Sequence, residues 1–504
     1  MQVQNFDNFG DGLDVRKPKN LDNPQSLRTL VNAYVTQGQT LSRRPGLKLV
    51  GEMRTGGSDT EHGLCAHNGR LHTFSLGSYG NDVIGEGTDD EVEIWTHKVS
   101  YNDAKASAKA APTPAISQGQ TKADPAPEYV NFSGGFNNGH YVSLKFDNDK
   151  SLHYYLDGNA PVSTAKAPIP DSNCPHSAMV TIAQSKVYAA NGVTVRFSAT
   201  ADADDGSGVT WDGDSGNAGY LPTGDRSPGN SETTGLGVIN NRLVVFHEDA
   251  AQIWAVDPDP LRNELEEQVA GIGTRYYQSI VGANKDLYFL SDVGVRSIGG
   301  QSLYRNMRGS DVGSPIDSLL QTHIREHEGR VDGQFFPGGG QYFLIVGDDT
   351  YVLTKSKQDK LNAWSVYKFA VPFRQMAHMG DRLYIRNGNK IYVLDYETVT
   401  DGDEEFNIEI ETPFYSFGQE GQFKMFKSME AIVEGVATID HCVNPNNNDD
   451  RTAQFQILGD TRTVPTLPLG ILAPALSCKI TGTGADFKSL NSLIYRYDLT
   501  AGGI

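Results

Sequence analysis

The sequence is poor in cysteine and in positive charge. Its 504 residues include four cysteines, and 43 Lys and Arg stand against 62 Asp and Glu, so the net charge is −19. The isolated cysteines form no C-x-x-C pair, which argues against a zinc ribbon and a disulfide framework. The acidic balance argues against a protein that holds nucleic acid on a basic face. We therefore expect no cofactor, no metal and no general DNA-binding function.

Long apolar runs are also missing. The N-terminus, MQVQNFDNFGDGLDVRK, has no apolar core of a secretory signal. No stretch reaches the roughly 18 apolar residues that cross a bilayer as a helix. These absences predict a soluble product that is made in the cytoplasm and has no membrane-spanning segment. The 54 Gly, 21 Phe and 22 Tyr favour a globular chain that is rich in turns.

A repeat is the main positive feature of the sequence. A short apolar strand, a polar turn and a strand of alternating apolar residues recur, often followed by a third strand. The copies lie at residues 62–75, 177–198, 233–256, 277–299, 334–354 and 373–395, with a weaker copy at 139–158. One such unit cannot bury its apolar face alone, so we predict that the copies stack radially as six or seven blades of a β-propeller. A β-sandwich or an irregular β-solenoid is the alternative architecture.

Three segments lie outside the repeat. We predict an N-terminal platform-like segment over 1–55, the propeller over 56–400 and a C-terminal β-rich domain over 401–504. The Ala/Pro/Lys/Ser-rich text at about 101–129 predicts a flexible insertion. The apolar spacing of 314–329, with a proline in the first turn, predicts a helix between two repeat copies.

The sharpest enzyme signal lies on that helix. His323, Glu326 and His327 spell H-x-x-E-H, in which two histidines bind zinc and the glutamate activates a water molecule. The segment is a short connector, however, and no further ligand is evident on a second helix. We interpret the pattern as a polar helix face and expect no protease activity.

A second candidate is the acidic stretch at 198–217. Thr210 and Trp211 match the S-x-D-x-G-x-T-W turn of sialidase-type propellers, but Gly206 stands where that turn has aspartate. The stretch also fails as a calcium loop, because Thr223 stands where a bidentate glutamate should close the site. No phosphate-binding glycine loop and no nucleophile elbow occur elsewhere. We predict a solvated loop and a protein that is not an enzyme.

The basic pair Arg43 and Arg44 is unusual in so acidic a chain. It precedes Pro45 and Gly46 near the end of the N-terminal segment. Two interpretations stay open: a contact with another subunit or a partner protein, and a turn at a strand end that carries two surface charges.

The order of several motifs resembles the tail nozzle, or tail hub, proteins of short-tailed bacteriophages. The matching stretches are F-x-x-G-L-D at 9–14, the leucine-rich text around Leu30 and Asn32, the turn at 38–46, and the segments 196–211, 236–258, 283–299, 311–324 and 408–437. The resemblance extends from about residue 5 to 440. It departs from the family at the insertion and at the Asn-rich text of 444–451.

This resemblance implies a structural protein of the virion tail, made in the cytoplasm of the host bacterium. Such a subunit assembles as a homo-hexameric ring or tube below the portal and its adaptor, retains packaged double-stranded DNA and conducts it during ejection. Tail fibres or spikes are implied partners, and a tail needle is a further candidate. With −19 on each copy, an acidic lumen would repel a passing duplex rather than hold it.

Two other functions remain as alternatives. A sialidase-like or other propeller glycoside hydrolase needs an arginine cluster and carboxylates of shifted pKa in one funnel, and the arginines here are scattered. A monomeric protein-binding propeller needs only an exposed face.

Overall fold

The protein is mainly β, as the sequence predicts. A computed structural model describes residues 1–16, 23–52, 63–75, 83–84, 92–101, 127–157, 166–200, 209–212, 217–226, 231–283, 286–299, 311–326, 331–356, 361–447, 450–458 and 466–500. These residues form 41 strands, one α-helix and short 3-10 helices at Gly224–Arg226, Pro260–Arg262 and Tyr277–Ser279. None of the helices in these ranges has the length and apolarity that a membrane crossing requires. Most of the predicted insertion lies outside the described residues.

The N-terminal residues form seven short strands. They are β1 (Gln2–Phe6), β2 (Gly12–Leu13), β3 (Ser26–Leu27), β4 (Thr29–Val31), β5 (Ala33–Val35), β6 (Leu41–Arg43) and β7 (Gly46–Glu52).

Seven small sheets follow along the chain. Sheet 1 contains β8 (Leu64–His67), β9 (Arg70–Ser75), β10 (Val83–Ile84) and β11 (Val92–Lys98), and sheet 2 contains β12 (Pro127–Phe136), β13 (Gly139–Phe146) and β14 (Ser151–Asp157). Sheet 3 contains β15 (Val180–Ala183), β16 (Lys186–Asn191), β17 (Thr194–Phe197) and β18 (Gly219–Leu221), and sheet 4 contains β19 (Gly235–Ile239), β20 (Arg242–Phe246), β21 (Ala250–Ala255) and β22 (Glu264–Ala270).

The other three sheets belong to the same series. Sheet 5 contains β23 (Val281–Ala283), β24 (Asp286–Ser291) and β25 (Gly294–Ser297), and sheet 6 contains β26 (Val331–Phe336), β27 (Gln341–Val346), β28 (Asp349–Ser356) and β29 (Leu361–Lys368). Sheet 7 contains β30 (Met376–Met379), β31 (Arg382–Asn387) and β32 (Lys390–Asp395). The N-terminal strand β7 pairs antiparallel with β32 and becomes the fourth strand of sheet 7.

We call these seven sheets the ring. The first strand of each sheet contacts the first strand of the next sheet, and β30 of sheet 7 contacts β8 of sheet 1. Each neighbouring pair of sheets buries its own apolar layer. Between sheets 7 and 1, for example, Tyr384 and Ile391 belong to the same buried cluster as Leu71 and Ile94.

The predicted helix is α1 (Asp317–Glu326), and it lies between sheets 5 and 6. Ile316 and Leu320, two residues of the predicted apolar stripe, are fully buried. Just before the helix, the backbone oxygen of Val312 accepts a hydrogen bond of 2.7 Å from Nε1 of Trp364 in sheet 6. The connector is therefore packed onto the ring.

The C-terminal residues form the last nine strands. They are β33 (Thr400–Asp401), β34 (Glu404–Glu405), β35 (Asn407–Glu411), β36 (Lys424–Gly435), β37 (Ala437–Cys442), β38 (Arg451–Ile457), β39 (Leu467–Ala473), β40 (Ser477–Thr483) and β41 (Phe487–Leu499).

The N-terminal and C-terminal segments, which the sequence divides into two domains, share sheets. Strands β1 and β6 pair with β41, and β4 pairs with β35. We call strands β1 to β6 and β35 to β41 the platform. Strand β4 also pairs with β29 through Val31 and Val366, so sheet 6 of the ring continues into the platform.

Candidate functional site

Arg44 lies inside the junction between ring and platform. Its side chain is 0% exposed, and its Nη1 and Nη2 donate to the two carboxylate oxygens of Asp401 at 2.8 and 2.7 Å. Nε donates to Oδ1 of Asn32 at 2.8 Å. The rings of Phe369 and Phe406 cover the guanidinium at 4.4 and 3.7 Å from Cζ. Both surface interpretations are wrong for Arg44, because the guanidinium is enclosed within the chain.

Arg43 differs from its neighbour. It is partly exposed on β6, and its Nη1 donates to the backbone oxygen of Gly484 at 2.7 Å. Desolvation by burial lowers its pKa from the ordinary arginine value. A partner contact through Arg43 stays a prediction.

Asn32 holds the junction together from the platform side. Its backbone is left-handed, with φ of 56°. Its Oδ1 accepts from the backbone N–H of Lys368 at 2.8 Å as well as from Arg44, and its Nδ2 donates to the backbone oxygen of Asn407 at 2.7 Å. One buried amide thus connects a ring strand, a platform strand and the buried arginine.

The H-x-x-E-H helix is tied to sheet 6. Nδ1 of His323 shares a hydrogen bond of 2.5 Å with the hydroxyl of Tyr351 and lies 3.4 Å from Oδ2 of Asp349. Glu326 ends the described helix, and His327 lies outside the described residues. The contact with Tyr351 attaches the helix to the ring.

The acidic stretch is described only in part, since 201–208 and 213–216 lie outside the described residues. Trp211 is buried, and its backbone N–H donates to Oδ2 of Asp171 at 2.7 Å. Thr223 is fully buried and donates from Oγ1 to the backbone oxygen of Val193 at 3.1 Å. Thr223 is therefore a core residue.

The first strands of the ring surround a central cavity of about 450 Å³. All seven sheets contribute residues to its wall. Gln375, just before sheet 7, connects that sheet to sheets 1 and 2. Its Oε1 accepts hydrogen bonds from the backbone N–H groups of Leu64 in sheet 1 and Val130 in sheet 2, at 3.3 and 3.2 Å. Its Nε2 donates to the backbone oxygen of Val130 at 2.7 Å.

Hydrogen bonds cross this cavity. The hydroxyl of Tyr129 in sheet 2 donates to Oδ1 of Asp332 in sheet 6, which is not a neighbouring sheet. The hydroxyl of Tyr277, just before sheet 5, donates to Oδ1 of Asn131 at 2.9 Å. Burial raises the pKa of Asp332 to about 7. The centre of the ring is thus a cross-linked pocket and not an open pore.

Four histidines lie together between sheets 1 and 2. The rings of His67 and His140 stack at 4.2 Å, and Nδ1 of His72 and Nε2 of His97 share a hydrogen bond of 2.7 Å. Burial lowers the pKa of His72 to about 4, of His97 to about 3 and of His140 to about 2. We call this group the histidine stack. The sequence analysis missed it, because its members are spread over four strands.

Comparisons with known proteins give no family. No family model and no curated protein matches the chain. Among solved structures the chain is similar to the WD40 domain of Neurospora crassa Pan2, at 12% identity, over 53% of this chain and 75% of that one, with a TM-score of 0.32. At that score the likeness carries no argument about fold or function.

Proposed function

We propose that this protein is a subunit of the tail nozzle, or tail hub, of a short-tailed bacteriophage, with the ring as a closed seven-bladed β-propeller. In this proposal six copies assemble below the portal and its adaptor, retain the packaged DNA and conduct it during ejection. Fibres or spikes attach to the same assembly. The motif order in the sequence is the starting point, and three features of the folded chain support it.

The ring supports a rigid structural module. Its seven buried layers join each sheet to the next all the way round, and β7 from the N-terminal segment completes sheet 7. Closing a sheet series in this way leaves few strand edges free to pair with other chains. Such a module resists deformation without needing a ligand.

The blocked centre supports a role as part of a wall. A cavity of 450 Å³ lies within the range of small-molecule pockets, about 300 to 1,000 Å³. The Tyr129–Asp332 hydrogen bond closes it further. Duplex DNA must therefore pass along a lumen formed between subunits, where the net charge of −19 on each copy disfavours tight phosphate contacts.

The observation that carries the proposal is the outer face of the platform sheet. Val3 on β1 and Leu472 on β39 are 58% and 52% exposed. The strand register places both side chains on one face of the sheet. Val3 is opposite Arg496 of β41, and Leu472 is opposite Met425 of β36, which is itself opposite Asp498 of β41. Arg496 and Asp498 are two residues apart on β41 and therefore point to the same face. Among the described strands, β1 and β39 each pair on one side only, so both edges of this face are open.

The charges on this face are already paired within the chain. Nη1 of Arg496 is 2.6 Å from Oε1 of Glu430, and Asp498 contacts both Lys427 and the N-terminal amine of Met1. Copies that carry −19 each repel one another unless the surfaces in contact are close to neutral. A neutral, partly apolar face with open strand edges fits contact with further copies of the same chain.

The assembly state tests the proposal. Purified protein should form sixfold rings or tubes in electron micrographs, alone or with the adaptor protein of the same phage, and mass photometry should give six chains per particle. Protein that stays monomeric at high concentration with the adaptor present would contradict the nozzle proposal and favour the protein-binding propeller. A strongly basic lumen in an assembled tube would also contradict it.

A further inference from the structure

Three side chains with metal-binding atoms converge between sheets 2 and 3. His153 belongs to β14, and Cys174 and His176 belong to the connection that leads to sheet 3. Nδ1 of His153 lies 3.3 Å from Sγ of Cys174, and that sulfur lies 4.0 Å from Nδ1 of His176. All three atoms lie within 4.8 Å of one another.

These separations suit a tetrahedral zinc ion. Bond lengths of about 2.0–2.1 Å to nitrogen and about 2.3 Å to sulfur place neighbouring N and S ligands roughly 3.5 Å apart. The two observed N to S distances, 3.3 and 4.0 Å, lie on either side of that value. Small movements of the side chains would bring all three atoms within bonding distance of one ion.

The tautomer of His153 is set for ligation. Its Nε2 is 2.6 Å from the backbone oxygen of Ser177, which can only accept, so Nε2 carries the proton. Nδ1 is then an acceptor, and it lies 2.8 Å from the hydroxyl of Tyr141 and 3.3 Å from Sγ of Cys174, so a metal ion would replace a hydrogen bond at this nitrogen. A histidine that ligates a metal commonly donates its other N–H to a backbone carbonyl in this way.

The backbone of the connection between sheets 2 and 3 brings Cys174 and His176 close together. Oδ1 of Asp171 accepts from the backbone N–H of Asn173 at 2.8 Å, and the backbone oxygen of Asp171 accepts from the N–H of Cys174 at 3.0 Å. His176 has φ of 49°, a left-handed backbone that turns its side chain back towards Cys174. Cys174 is fully buried and His176 is partly exposed, so an ion has a route in from solvent.

We propose that His153, Cys174 and His176 bind Zn²⁺ and thereby link sheet 2 to the connection before sheet 3. The thiol of Cys174 loses its proton to solvent when the Zn–S bond forms, and a water molecule completes the tetrahedron. The hydroxyl of Tyr141, 2.8 Å from Nδ1 of His153, borders the site. The site differs from the sequence expectation of no metal and does not depend on the nozzle proposal.

Metal content of the full-length protein gives the first test. Protein dialysed with Zn²⁺ and then against metal-free buffer should retain one zinc per chain by mass spectrometry of the metal. With Co²⁺ instead, the protein should show thiolate-to-cobalt charge-transfer absorption and the visible bands of tetrahedral cobalt. Wild-type protein that retains no zinc, or that binds Co²⁺ without the charge-transfer absorption, overturns the proposal.

Two variants and a matched control locate the site. Cys174→Ser and His176→Ala should each weaken zinc binding at least tenfold, and Cys174→Ser should abolish the charge-transfer absorption. Cys65→Ser is the control, because Cys65 is also buried with its sulfur 4.0 Å from a histidine nitrogen, that of His140 in the histidine stack. Unchanged binding in both site variants, or loss in Cys65→Ser alone, contradicts the proposal. His176 is partly exposed, so its variant keeps the test valid if Cys174→Ser unfolds.

Discussion

The ring and the platform treat strand edges in opposite ways. In the ring every first strand meets another first strand, and the N-terminal β7 covers β32. In the platform, β1 and β39 leave one side open among the described strands, and both present an exposed apolar side chain, Val3 and Leu472. Open apolar edges favour association with other chains, so the platform is the region where contacts between subunits are expected.

The two regions also bury polar groups differently. Within the ring, the histidine stack and the Tyr129–Asp332 pair are buried in forms that low dielectric keeps neutral. At the border with the platform, Arg44 and Asp401 are buried with their charges facing each other. The stability of the ring is therefore expected to depend on pH, and the stability of the junction is expected to depend on an intact ion pair.

The largest predicted effect is at the junction. Asp401→Asn removes the charge opposite Arg44 and leaves the guanidinium buried without its carboxylate. Breaking a buried pair from one side costs about 3–5 kcal/mol. The midpoint of urea unfolding should fall accordingly, with no change in the slope of the transition.

The matched control is the exposed pair of Arg496 and Glu430 in the platform. Glu430→Gln removes an ion pair whose side chains are 26% and 22% exposed. Partly exposed pairs of this kind contribute about 0–1 kcal/mol. Equal losses in the two variants would show that burial of Arg44 contributes nothing beyond an ordinary ion pair.

The next effect is the response of the ring to acid. The pKa of His97 is about 3 in the folded chain, against about 6.5 when unfolded. Below pH 6.5 the unfolded state binds a proton at this histidine and the folded state does not. The contribution of His97 to the free energy of unfolding is therefore fully present above pH 6.5 and is lost as the pH drops towards 3. His97→Gln should remove about 1.4 kcal/mol per pH unit from that fall, measured by urea unfolding from pH 7 to 5.

Asp332 provides a control of opposite sign in the same ring. Its folded pKa is about 7, against about 3.9 when unfolded, so its protonation stabilises the fold as the pH falls from 7 to 4. Asp332→Asn should therefore make the acid loss steeper, whereas His97→Gln makes it shallower. Parallel curves for wild type and both variants would contradict the buried neutral states.

Local features of the fold were predictable from sequence. Each of the seven repeat copies, the weak one at 139–158 included, overlaps a different one of the seven sheets. The turn Asn240–Asn241 has φ of 47° and 62°, the left-handed pair that a two-residue hairpin requires and that asparagine tolerates. The predicted apolar stripe of the helix segment is also confirmed at Ile316 and Leu320, which are both buried. In each case the signal lies within a few residues of the feature.

Contacts between distant parts of the chain were not predictable in this way. The partner of Arg44 is 357 residues away, and nothing around Asp401 distinguishes it from its acidic neighbours. The pairing of β1 with β41 likewise joins the two ends of the described chain. A local signal for the zinc site did exist, since Cys174 and His176 are two residues apart. The third ligand, His153, becomes their neighbour only through the fold.

The smallest effect on folding is predicted at the platform face, where the effect on assembly is largest. Val3→Lys and Leu472→Lys place a charge on an exposed face, so the free energy of unfolding should change by no more than about 0.5 kcal/mol. Self-association, measured by sedimentation, should weaken at least tenfold, because each contact between copies would bury unpaired ammonium groups. Leu261→Lys is the control in the ring, since Leu261 is 94% exposed near β22. If that control weakens assembly as much as the platform variants do, the contact between copies lies on the ring and the contrast between the two regions fails.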